Sequence, residues 1–196
     1  MKFFAGITVV IAAGVFSWTL VHATLFAPDA EVDNPTLAAS APIAHAPSAS
    51  LPARLMIPSL HIDAAVQQVG LRADKSMGIP SNFSDVAWYK YGIIPGQVGS
   101  AAIDGHVDNG LSLPGVFKHL GDLKIGDDVY VQQEGGAKIH FVVDDIQSYP
   151  YKNVPTDYIF NRSDAARLTL ITCEGTWVKA DKTYDQRLVV YTKLVP

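Results

Sequence analysis

The stretch RLTLITC, residues 167–173, sets the reading of the whole chain. Its β-branched and aliphatic residues favour a strand, and side chains along a strand alternate between two faces. Leu168, Leu170 and Thr172 therefore share one face, and Thr169, Ile171 and Cys173 the other. Cys173 closes its row, at the point where the strand is expected to run out into a loop. A nucleophile placed there has rigid backbone behind it and open space ahead. It is also the only cysteine in the chain, so no internal disulfide can form. A lone cysteine equally fits a small buried hydrophobe, and the rest of the chain has to decide between the two.

Outward from this stretch the texture is that of many short strands. Residues 55–58 and 62–66 look like strands around a turn, 86–91 is aromatic and β-prone, and 101–107 reads as a strand ending in Asp104-Gly105-His106. Residues 115–120 suit a short helical turn, 124–127 a turn, 128–133 a strand, 134–136 a hairpin loop and 138–148 a long return strand. A loop is expected over 149–166, with a helical turn near Tyr158, then another over 174–186 and a last strand over 187–194. Short strands separated by Gly and Pro turns predict an all-β barrel or sandwich.

The N-terminal part is different. Residues 3–27 carry no Asp, Glu, Lys or Arg and are mostly apolar, and about 20 such residues span a bilayer as a helix. Lys2 precedes them, and Asp29, Glu31 and Asp33 follow. Cationic flanks stay cytoplasmic, which puts the N-terminus inside and the remainder outside. A cleaved signal peptide, with Val21-His22-Ala23 at the cleavage site, is the competing reading. Residues 28–53 place five prolines among Ala and Ser and read as an extended linker. The expected organisation is thus anchor or signal peptide over 1–27, linker over 28–53 and one domain over 54–196. A net charge of −4 provides no basic field for nucleic acid.

An unperturbed thiol has a pKa of about 8.5, and the thiolate is the nucleophile. An imidazole nearby can take its proton and later deliver one to a leaving amine. His22 falls in the anchor and His45 in the linker, while His61, His119 and His140 suit surface or core positions. His106 ends a strand, after Gly105. Arg187 opens the last strand, and its permanently charged guanidinium suits an oxyanion.

His106 in Gly105-His106, Cys173 in TLITC and Arg187 in Gln186-Arg187-Leu188-Val189-Val190 together resemble the sortase family of cysteine transpeptidases. The Leu-Lys-Ile-Gly-Asp turn at 123–127 is also similar, and the resemblance covers about residues 53–196. It implies a closed eight-stranded β-barrel and a surface-protein substrate with a C-terminal sorting signal similar to LPxTG. Cys173 would attack the carbonyl after the Thr, and the acyl-enzyme would pass to an amine of a cell-wall precursor or a pilin lysine. His106 would serve as general acid and then base. Arg187 would hold the oxyanion, helped by the backbone N–H of Glu174, or position the substrate. The loops around Cys173 would border the peptide groove, with Thr172, Glu174, Val154, Pro155, Ile159 and Trp177 as substrate-binding candidates. Trp177 equally suits a cap on the core.

No cofactor is implied. The acidic pairs Asp127-Asp128 and Asp144-Asp145 point their neighbours to opposite faces if they lie on strands, so no metal site is expected. The short anchor and compact loops look closest to class F or single-pass housekeeping enzymes. Two rival functions are a cysteine peptidase hydrolysing wall peptides and a non-catalytic, membrane-tethered binding barrel. In papain-like peptidases the Cys precedes the His, whereas here the His comes first.

Overall fold

The computed structural model describes residues 50–196. The expected anchor over 1–27 and nearly all of the linker lie outside the described residues. Eight strands form: β1 (Pro52–Ile57), β2 (Ile62–Val69), β3 (Val86–Tyr89), β4 (Gly99–Gly105), β5 (Asp128–Gln133), β6 (Lys138–Pro150), β7 (Ala166–Val178) and β8 (Thr183–Leu194). They close into a barrel in the order β1-β2-β3-β4-β7-β8-β6-β5. Closure decides between barrel and sandwich, because β1 is hydrogen-bonded to β5 on one side and β2 on the other.

Two neighbouring pairs are parallel, β2 with β3 and β4 with β7. Parallel neighbours need a long crossover. The first crossover, residues 70–85, contains no helix; the second, between β4 and β7, includes the β5–β6 hairpin and a short helix, α1 (Thr156–Phe160). No helix among the described residues is long and apolar enough to cross a membrane.

The alternation in β7 divides two hydrophobic layers. Leu168 and Leu170 enter the barrel interior with Leu55, Ile103, Phe141, Leu188 and Val190. Ile171 faces outward, into a second cluster with Ala102, Ile159, Val189 and Tyr191. The helix α1 covers this outer patch, and the Ser100 hydroxyl beneath it donates to the Ile159 carbonyl. Trp88 and Phe117 fill the interior, and the Trp88 indole N–H donates to the Ile93 carbonyl at 3.0 Å.

Three expectations need correction. Cys173 does not end its strand, since β7 continues to Val178. The loop expected over 174–186 is mostly a hairpin, and β8 begins at Thr183 instead of Arg187. The reason lies in one irregularity: the register shifts between Glu174 and Trp177, where Gly175 adopts φ 86°. Such a bulge bends a ladder without ending it, so β-prone Thr176, Trp177 and Val178 resume pairing with Thr183 and Tyr184. A side chain at Gly175 would also meet the Asp185 carboxylate, which accepts the Thr176 backbone N–H at 2.7 Å. The helical turn near Tyr158 forms as α1.

Candidate active site

Cys173 and Arg187 are direct partners across the β7–β8 ladder. Because Thr172 and Leu188 beside them are buried and face inward, Cys173 and Arg187 both project from the outer face. β4 runs parallel to β7 with Asp104 opposite Ile171. Continuing that register sets Gly105 beside Thr172, and the Thr172 hydroxyl donates to the Gly105 carbonyl at 2.7 Å. His106 is the next residue, so it arrives beside Cys173 from the other flank. Three residues far apart in the chain thus share one rim of the barrel.

Local chemistry holds each of them. A Cβ on Gly105 would lie 2.5 Å from the Phe117 ring, so only glycine lets the strand that delivers His106 pass this close to the barrel plug. His106 Nε2 is 3.0 Å from the Pro80 carbonyl. A carbonyl only accepts, so Nε2 carries the proton and Nδ1 is the basic nitrogen of the neutral ring. The ring rests on Phe83, 4.7 Å between centroids. Arg187 is turned toward its own hairpin: Nη1 donates to the carbonyls of Tyr184 and Gln186 at 3.0 and 2.9 Å, and Nη2 to the Thr183 hydroxyl at 2.7 Å. Its guanidinium carbon is 5.8 Å from the centre of the Tyr151 ring.

The electrostatics are those of a partly buried thiol among charges. Burial pushes the Cys173 pKa up to about 11; the Arg187 charge pulls it down, while Asp104 and Asp108 raise it further. At neutral pH the resting side chain is therefore a thiol. Asp104 keeps part of its surface accessible, yet desolvation of its carboxyl pushes its pKa up to about 7, against the pull of Arg187 and Arg72.

The groove candidates divide. Val154 and Pro155 are half-buried beside α1, and Val154 packs on the outer cluster. Glu174 is partly exposed and accepts from the Ser148 hydroxyl. Trp177 is 50% exposed and edge-on to Tyr184, so it does not cap the core. Thr172 and Ile159 are both fully enclosed; Thr172 braces the β4–β7 pair and Ile159 sits beneath the site, so neither offers a surface to a peptide. Among the other described histidines, His119 pairs with Asp122 and His140 with Asp128 at the surface.

No group of three His, Cys, Asp or Glu among the described residues could hold a metal ion. Asp144 is paired with Arg167 and Lys193. Asp127 accepts from Ser59 and from the Lys124 backbone.

Sequence reasoning missed Asp104, Asp108, Tyr184, Thr183, Pro80 and Phe83. Asp104 left a signal, a carboxylate inside the otherwise uncharged strand GSAAIDG. The others are ordinary loop or hairpin residues until the fold assembles them.

Residues 55–195 match the family model of the sortase domain. The chain belongs to the sortase family. No curated protein matches its sequence. Among solved structures, sortase C-1 from Actinomyces oris is similar at 25% identity and a TM-score of 0.56, over 73% of each chain. Sortase A from Corynebacterium diphtheriae is 20% identical with a TM-score of 0.58, over 76% of this chain and 62% of that one, so this chain spans less than two thirds of that length. The sortase D5 transpeptidase of Clostridium perfringens is 18% identical with a TM-score of 0.55, over 74% of this chain and 79% of that one. The sortase barrel is thus common to all three, and the chain is a sortase transpeptidase in the general sense.

Proposed function

We propose that this sortase cuts a C-terminal sorting signal similar to LPxTG in a surface protein and joins the new end to an amine. In this reading the Cys173 sulfur attacks the carbonyl after the Thr. The thiol proton passes to the His106 imidazole as the S–C bond forms, because a thiol raised to about 11 supplies little thiolate of its own. Arg187 holds the developing oxyanion or positions the peptide. Collapse breaks the C–N bond, and His106 gives its proton to the departing Gly amine. An incoming amine, from a wall precursor or a pilin lysine, attacks the thioester; the C–N bond forms, the C–S bond breaks and the proton returns through His106 to sulfur. Residues 3–26 would anchor the chain in the cell membrane as a single pass, N-terminus cytoplasmic, with the barrel outside.

The observation that supports this reading is the register: Arg187 is opposite Cys173 on one side, and the strand carrying His106 adjoins it on the other. The purified chain, an LPxTG-type peptide and an amine should yield an acyl-enzyme visible by intact mass and then a transfer product. Cys173→Ala should yield neither. Product from that variant at the wild-type rate would refute the assignment.

A further inference from the structure

Tyr184 joins two parts of the site that otherwise belong to different elements. Its hydroxyl lies 2.7 Å from each carboxylate oxygen of Asp108. Its main-chain carbonyl accepts Nη1 of Arg187. Asp108 belongs to the segment that begins at His106, and that segment is internally stiff. Asp108 bridges to Pro114, the Phe117 N–H donates to the His106 carbonyl at 2.9 Å, and the Asn109 side chain accepts the N–H groups of Leu111 and Leu113 at 2.9 and 3.0 Å. The Asp108 side chain is only 12% exposed, with the Lys118 ammonium 3.6 Å away. On the hairpin side, Trp177 stacks edge-on against the Tyr184 ring at 5.4 Å. The bulge at Gly175 lies between Cys173 and Trp177 and interrupts the β7–β8 ladder there.

We propose that the Tyr184–Asp108 contact is a latch that ties the β7–β8 hairpin to the His106 segment, and so fixes Arg187 and His106 relative to each other across Cys173. Both are positioning residues, acting through Arg187 and His106. A phenol donating to a largely buried carboxylate is a strong, directional bond, and losing it leaves the carboxylate short of a donor. The proposal rests on the roles given above to Cys173, His106 and Arg187.

The test uses the full chain and its Tyr184→Phe, Asp108→Ala, Asp108→Asn and doubly substituted Tyr184→Phe/Asp108→Ala forms. Two quantities are followed: the single-turnover rate of acyl-enzyme formation with an LPxTG-type peptide, and amide hydrogen exchange over residues 174–186. Tyr184→Phe and Asp108→Ala should each slow acylation about tenfold, as expected for one lost bond to a charged group, with peptide affinity changed far less. The double form should be no slower than the worse single form. Asp108→Asn keeps an oxygen for the phenol and should recover most of the rate. Hairpin amides should exchange faster in Tyr184→Phe and Asp108→Ala but not in Asp108→Asn. Wild-type acylation and exchange in Tyr184→Phe, or losses that multiply in the double form, would overturn the latch. A wild-type chain that forms no acyl-enzyme sinks the transpeptidase reading alone, because hairpin exchange still decides the latch.

Discussion

At the scale of single residues, Asp104 departs far from its ordinary chemistry. Desolvation raises its pKa from 3.8 to about 7, so the folded chain retains this proton where the unfolded chain has released it. The stability that comes with a raised carboxyl pKa is fully present below about pH 4 and is lost as pH climbs through about 7. Asp104→Asn stays neutral throughout. Its melting temperature should gain on wild type between pH 4 and pH 8, and a difference independent of pH would mean that Asp104 titrates like a solvated carboxylate. Cys173 is raised by the same cause. The lone cysteine could be placed on its face of the strand from the alternation of TLITC alone. Its raised pKa could not, because that comes first from burial by other segments, with Asp104 and Asp108 adding to the rise and Arg187 opposing it.

At the scale of elements, the crossover over residues 70–85 has no regular structure and yet orients His106. It supplies the Pro80 carbonyl and the Phe83 ring. Side chains brace its second half: Asn82 donates to Asp85 at 2.7 Å and accepts the Ser84 and Asp85 N–H groups at 3.0 and 2.8 Å. Gln67 on β2 donates to Asp85 and accepts from Ser81. Asn82→Ala removes the centre of this network. Acyl-enzyme formation should fall about tenfold or more, since several hydrogen bonds are lost together, and the His106 ring resonances should broaden. Unchanged rate and line widths would show that Pro80 and Phe83 hold their places unaided. Nothing in the string Gly70 to Asp85 signals this task, since its polar residues look like solvated loop until they meet Gln67 and the His106 ring.

At the scale of the molecule, the barrel is held by its interior layer. Leu170 is fully enclosed there, and Leu170→Ala should cost about 2–5 kcal/mol of unfolding free energy in a urea titration. Ile125 is 73% exposed, and Ile125→Ala should change stability by no more than about 0.5 kcal/mol. Equal losses at the two positions would mean that Leu170 is no more enclosed than a turn residue at the surface. Stability and site are coupled through this strand, because its inner face builds the barrel and its outer face carries Cys173.

The sequence by itself determined the all-β class, most of the strands outside residues 174–186, the face that bears Cys173, and the family through GH, TLITC and the RLVV strand. These are local properties: alternation, β-propensity and turn residues act over a few positions, and a short motif carries its own neighbours. Only the tertiary structure decided that β7 and β8 continue past Cys173 through a bulge, that Ile159 and Thr172 are enclosed, and that Asp108, Tyr184, Pro80 and Phe83 surround the three motif residues. Each of those facts depends on contacts between segments distant in the chain, and such contacts are set by strand register and packing, which no single stretch of residues encodes.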